Sequence, residues 1–184
     1  MSNVIRSFCL FAFVGLLMTG CQKDDEKIAP RNVFTYNGIE YDLAKGILLD
    51  YGQIGKGEGH TQHLYLYSSG ISIHESNGKF DSTSGKGHFI YFEIFSPTAG
   101  VLADGDYTYD INNTFKASTF DYSYAVLNSD PLTKSGDLYS VFWGDINIKK
   151  EDEKYAVTFD CLEAEGKHIA GFYKGALNYY YRGK

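Results

Sequence analysis

Residues 142–161 read Phe-Trp-Gly-Asp-Ile-Asn-Ile-Lys-Lys-Glu-Asp-Glu-Lys-Tyr-Ala-Val-Thr-Phe-Asp-Cys. Phe142, Gly144, Ile146 and Ile148 alternate with Trp143, Asp145, Asn147 and Lys149, so one set makes a dry face and the other a polar one. After the charged residues 150–154, Tyr155, Val157, Phe159 and Cys161 repeat the arrangement. A period of two belongs to half-buried β-strands.

The same grammar extends outward in both directions. Upstream, Phe120, Tyr122, Tyr124 and Val126 are expected on one face, with Asp121, Ser123 and Ala125 on the other. Strand-like runs also cover Gly46 to Tyr51, His63 to Tyr67, Ile71 to His74, Gly87 to Phe95 and Asp106 to Ile111. Phe34 to Tyr36 and Ile39 to Tyr41 flank Asn37-Gly38, a dipeptide suited to the positive φ angles of a type I′ hairpin turn, and Asn77-Gly78 closes a later run. Downstream, Glu165-Gly166 turns the chain into Lys167 to Tyr181. Beyond the first twenty residues no useful window keeps a period of 3.6. About ten strands predict an all-β domain over 33–184, either a single antiparallel β-sandwich or a flattened, lipocalin-like barrel.

The amino terminus follows a different plan. Arg6 precedes an apolar run from Phe8 to Met18, then Thr19, Gly20 and Cys21, the three-part layout of a secretory signal over 1–20. The run is about half the roughly 20 residues a membrane-spanning helix needs. Leu17-Met18-Thr19-Gly20-Cys21 resembles the lipobox of bacterial lipoproteins, although Met18 stands where Leu is usual. That resemblance implies cleavage before Cys21, a diacylglyceryl thioether on its sulfur and acylation of the new amine. Two or three acyl chains suffice for stable anchoring.

Gln22-Lys23-Asp24-Asp25-Glu26 resembles the tag that directs lipoproteins of the Bacteroidota to the cell surface; a charged, solvated spacer is the alternative. Residues 21–32 are thus expected to form a lipidated, flexible stalk reaching about 17 to 20 Å. The strand runs between Ile146 and Leu177, with Asp-Gly-Asp-Tyr-Thr-Tyr at 104–109, also resemble small uncharacterised β-rich lipoproteins of the Bacteroidota. The family implies an outer-membrane, lipid-anchored location and no particular activity.

Charge and cysteine content narrow the functions. A net charge of −6 without a basic run argues against a nucleic-acid partner or an anionic membrane surface. With Cys9 lost in the signal and Cys21 lipidated, Cys161 stands alone, is expected to be a buried apolar side chain, and can form no disulfide within the chain. No nucleophile elbow, zinc helix, phosphate loop or dinucleotide fingerprint occurs, so neither a cofactor nor a catalytic set is predicted. Gly52, Gly55, Gly57 and Gly59 lack the Lys-Ser/Thr partner that phosphate cradling requires.

Binding chemistry has better candidates. Aromatic residues make up 16% of the chain, enough to fill a core and still leave stacking platforms for sugar rings. Trp143 is the first platform, with Asp145 and Asn147 beside it on the polar face; Tyr180, with Asn178 and Lys174, is the second. His60 and His63 could contribute to a metal site, but no third ligand is apparent. Asp104, Asp106 and Asp110 read as turn residues more readily than as calcium ligands. Glu93, between Tyr91 and Phe95, is the acid most exposed to desolvation, unless it lies at an open edge. Three functions compete: a non-catalytic binding module for glycans, a protein-interaction lipoprotein of an envelope complex, and, last, a surface hydrolase.

Overall fold

A computed structural model describes residues 29–54 and 57–183. The expected signal, Cys21 and most of the expected stalk lie outside the described residues. The described residues form thirteen strands: β1 (Val33–Tyr36), β2 (Ile39–Asp42), β3 (Lys45–Gln53), β4 (His60–Tyr67), β5 (Ile71–Ser76), β6 (Lys79–Gly85), β7 (Gly87–Ser96), β8 (Gly105–Tyr109), β9 (Thr119–Asp130), β10 (Ser135–Glu151), β11 (Lys154–Glu163), β12 (His168–Gly175) and β13 (Leu177–Tyr181). Both Asn-Gly turns take positive φ at each residue, 51° and 77° at Asn37-Gly38 and 53° and 69° at Asn77-Gly78, so they close the β1–β2 and β5–β6 hairpins.

Eleven strands build one large curled sheet in the order β13-β3-β4-β7-β9-β8-β10-β11-β12-β1-β2, with β9 also pairing to β10; β5 and β6 form a separate ribbon. The all-β fold is as expected, but two pairings depart from the antiparallel rule: β13 runs parallel to β3, and β8 parallel to β9. The chain passes from β2 to β3 and from β12 to β13 within a few residues, linking opposite halves of the sheet order and drawing them around one core.

The concave side holds that core, including Phe34, Leu48, Leu64, Phe92, Phe120, Ile146, Val157 and Phe159. The outer side of β3, β4 and β13 is buried too. The β5–β6 ribbon lays Ile71, Ile73 and Phe80 over Ile47, Leu49, Tyr67 and Tyr180. This second core corrects the expectation for Tyr180, which is only 6% exposed and hydrogen-bonds to Glu75 of the ribbon. It is a packing residue, not a platform. Nor do Lys174 and Asn178 share a strand with each other: the chain changes partners at Ala176, between β12 and β13.

Two β-bulges rearrange the expected faces. In β10, Val141 pairs with Glu163 and Trp143 with Leu162, so Phe142 and Trp143 together oppose a single step of β11. Val141 turns inward and Phe142, expected on the dry face, is 52% exposed. In β9, Tyr91 pairs with Tyr124 but Glu93 with Asp121, leaving an extra residue between them. Phe120 is therefore core, as are Ala125 and Leu127, while Tyr122 and Tyr124 turn away. A one-residue slip changes which side of the sheet every later side chain occupies.

Buried Asp50 ties distant segments together. Its carboxylate accepts hydrogen bonds from Gly52 N at 2.7 Å, Gly100 N at 2.9 Å, Tyr179 OH at 3.1 Å and Gln62 Nε2 at 3.3 Å. The irregular segment 97–104 and β13 are both held against β3 by this one side chain.

Candidate functional site

The pairing register places the chemically interesting residues in one row across the outer face. His63 of β4 lies opposite Glu93 of β7, and Glu93 opposite Asp121 of β9. Tyr109 of β8 pairs with Phe120, and Thr108 with Asp145 of β10. One residue further along each strand, Asp110 falls between Asp121 and Trp143. Trp143 then pairs with Leu162. Phe120 and Ile146 point into the core, so Asp121, Trp143 and Asp145 point out.

The structure thus joins Trp143 to acids that sequence spacing could not connect. Trp143 is 58% exposed, and Tyr122, 73% exposed, stands where β9 and β10 diverge. The outer face continues as a ladder of rings: His63 lies 5.2 Å from Tyr91, Tyr65 4.7 Å from Tyr91, Tyr91 4.8 Å from Tyr124, and Tyr124 6.2 Å from Tyr122. Burial raises the phenol pKa values of Tyr65, Tyr91 and Tyr124, keeping them neutral hydrogen-bonding groups.

Asp121 is the anomalous acid. It is 4% exposed, and its Oδ1 has no hydrogen-bond partner. Burial, reinforced by the nearby Glu93 and Asp110 charges, pushes its carboxyl up to about 7. Glu93 is half-buried on a central strand rather than an open edge, with His63 Nε2 3.6 Å from its Oε1. Thr61, one row away on the same face, also has a buried side-chain oxygen without a partner.

On the other side of Trp143, Asp145 lies directly opposite Asp160. Together with Asp106, Asn147 and Thr158 they rim a shallow hollow of about 410 Å³ floored by Ile146 and Phe159. Asn147 Nδ2 donates to Asp106 Oδ1 at 2.6 Å, and Asp160 Oδ1 lies 2.7 Å from His168 Nδ1. Trp143, Asp145 and Asn147 are thus assembled on one surface. Lys174 and Asn178 line a different hollow with Lys45 and Ser72, and Lys174 Nζ bonds to Glu151.

The remaining candidates disperse. His60 and His63 are three residues apart on one strand and project to opposite faces. Among the described residues no group of three metal-ligating side chains converges. Asp110 accepts from Asn112 N, Thr114 N and Thr114 Oγ1 and fixes a turn, whereas Asp104 accepts from Lys150 N and ties its loop to the end of β10. Cys161 is fully buried, and desolvation pushes its thiol up to about 12, leaving negligible thiolate at neutral pH. Comparison with family models, curated proteins and solved structures finds no match for this chain.

Proposed function

We propose that this chain is a lipid-anchored, surface-exposed lipoprotein of an outer membrane, and that its domain is a non-catalytic binding module for glycans. The anchor rests on the lipobox-like sequence ending at Cys21 and the surface location on the charged segment after it. One observation carries the binding assignment: an indole exposed at a bulge, next to exposed Phe142 on the same strand and with a hollow of hydrogen-bonding groups beside it. Sugar rings present C–H faces to aromatic planes and hydroxyls to the polar groups around them.

The orientation suits this role. Val33 lies level with Phe172, Thr158 and Asn147, whereas Tyr36 lies level with Ile169, Cys161 and Gly144. Trp143 is therefore beyond the end of β1 that is farther from the stalk, and it faces outward from a tethered domain.

Intact mass measurement of the mature protein is expected to find an acylated Cys21 at its amino terminus; an intact Met1 refutes the anchor. On glycan arrays and affinity gels, wild type is expected to be retained, and Trp143→Ala to lose at least tenfold of that retention. Equal behaviour of the two proteins on every glycan removes the platform.

A protein-interaction role has its own supporting feature. Exposed Leu138 and Phe142 border a groove with Tyr36 and Tyr139, rimmed by Glu165 and Lys167. Crosslinking in native membranes tests it: a partner trapped at position 138 favours this alternative, and recovery of uncrosslinked protein alone opposes it.

A further inference from the structure

We infer that the ligand at Trp143 is an organic ammonium, in the simplest case a sugar bearing free amino groups, held with its cationic nitrogen between the indole and two flanking sets of carboxylates. This deepens the glycan-binding proposal and rests on it.

Negative charge is concentrated on both sides of the indole. On one side, Asp145 and Asp160 occupy directly opposed positions of β10 and β11, a cross-strand arrangement of like charges that costs stability, and Asp106 joins them at the hollow. On the other side, Asp121 and Glu93 follow in the same row. His63 beside Glu93 and His168 beside Asp160 are the basic groups within ion-pairing distance of these acids among the described residues. No lysine or arginine is paired with them, although such pairs form elsewhere, as between Lys86 and Asp130 and between Arg31 and Glu40.

Acids alone would indicate only a solvated face. The unpartnered Oδ1 of Asp121, nine-tenths buried beneath that face, distinguishes this one. A buried acceptor without a donor costs stability, and a ligand that supplies the missing donor relieves that cost. An ammonium group carries several donors and a positive charge, and it is also the group that an indole face attracts most strongly. A neutral ring could stack on Trp143, but it would leave the surrounding negative charge uncompensated.

Trp143 is the single tryptophan of the chain, so its fluorescence reports this site alone. Wild type would be titrated with a glucosamine tetramer, its fully N-acetylated counterpart, and the ring-free polyamine spermine. The free-amine tetramer is expected to shift Trp143 emission and to bind at least tenfold more tightly than the acetylated form. Exposed Asp145→Asn and buried Asp121→Asn are each expected to reduce that preference severalfold, with melting curves confirming that both variants are folded. Equal affinity for the two tetramers, or a preference unchanged in both variants, overturns the inference. Equal binding of both tetramers that disappears in Trp143→Ala leaves glycan binding standing without the charge assignment. Spermine binding with neither tetramer bound supports ammonium recognition and refutes the glycan.

Discussion

Replacing Asp50 with Ala is expected to lower the stability of the domain by about 3 kcal/mol, the range found when a buried, hydrogen-bonded charge is removed and its donors are left behind. The four donors of Gly52, Gly100, Tyr179 and Gln62 converge from four segments of the chain on this carboxylate, which is itself only 1% exposed. Asp50→Asn should recover little, because its amide nitrogen would face donors. Tyr179→Phe removes one bond and should cost about 1 kcal/mol. For a domain of this size, the Asp50 loss corresponds to roughly 6 to 12 °C in Tm. Thermal unfolding followed by circular dichroism decides the matter: an Asp50→Ala midpoint within 2 °C of wild type would refute the assigned role.

The second large effect depends on pH and has the opposite sign. Asp121→Asn is expected to stabilise the protein at pH 8 by about 2 kcal/mol and to leave it nearly unchanged near pH 4. In the folded protein the Asp121 carboxyl holds its proton up to about 7, because burial and the Glu93 and Asp110 charges oppose ionisation; unfolded, it releases the proton near 3.8. Between those values the folded state binds more protons than the unfolded state, so stability falls as pH rises through the window. The groups facing Asp121 are Glu93 from β7, Tyr109 from β8 and Asp110 just after it, and none supplies a compensating positive charge. Glu93→Gln removes one repulsive charge and so lowers the Asp121 pKa, and the decline should end at a lower pH and be shallower, a smaller change than Asp121→Asn produces. Parallel melting curves at pH 4 and pH 8 test the main effect, which fails if the Asn variant gains no more at the higher pH.

Local features of the fold were legible from sequence, and features set by distant strands were not. Asn37-Gly38 and Asn77-Gly78 revealed their hairpins because the required φ angles are a property of two adjacent residues. The inward positions Ile146, Ile148, Val157 and Phe159 followed from alternation alone. Phe142 and Tyr122 did not, because each sits at a bulge created where β8 enters between β9 and β10. Tyr180 was misplaced for another reason: the ribbon β5–β6 covers the outer side of β13, so alternation ceases to separate wet from dry.

The candidate site shows the same division. Trp143, Asp145 and Asn147 belong to one strand and were found together. Asp121 and Glu93 entered the site only through the register of β7 against β9, and 27 residues of intervening sequence give no hint of it. Glu93 was recognised through its aromatic neighbours on the same strand. Asp121 looked like an ordinary polar position, because its burial comes from strands on either side rather than from adjacent residues.

The parallel pairing of β13 with β3 also has a kinetic consequence. Gly46 to Asp50 can acquire their outer neighbour only from a segment about 130 residues further along the chain, and the bond from Tyr179 to Asp50 spans 129 residues. Such late closure slows folding and leaves a hydrophobic border available for intermolecular association in the interim. A polypeptide emerging amino terminus first would therefore depend on chaperones or rapid completion until that last piece arrives.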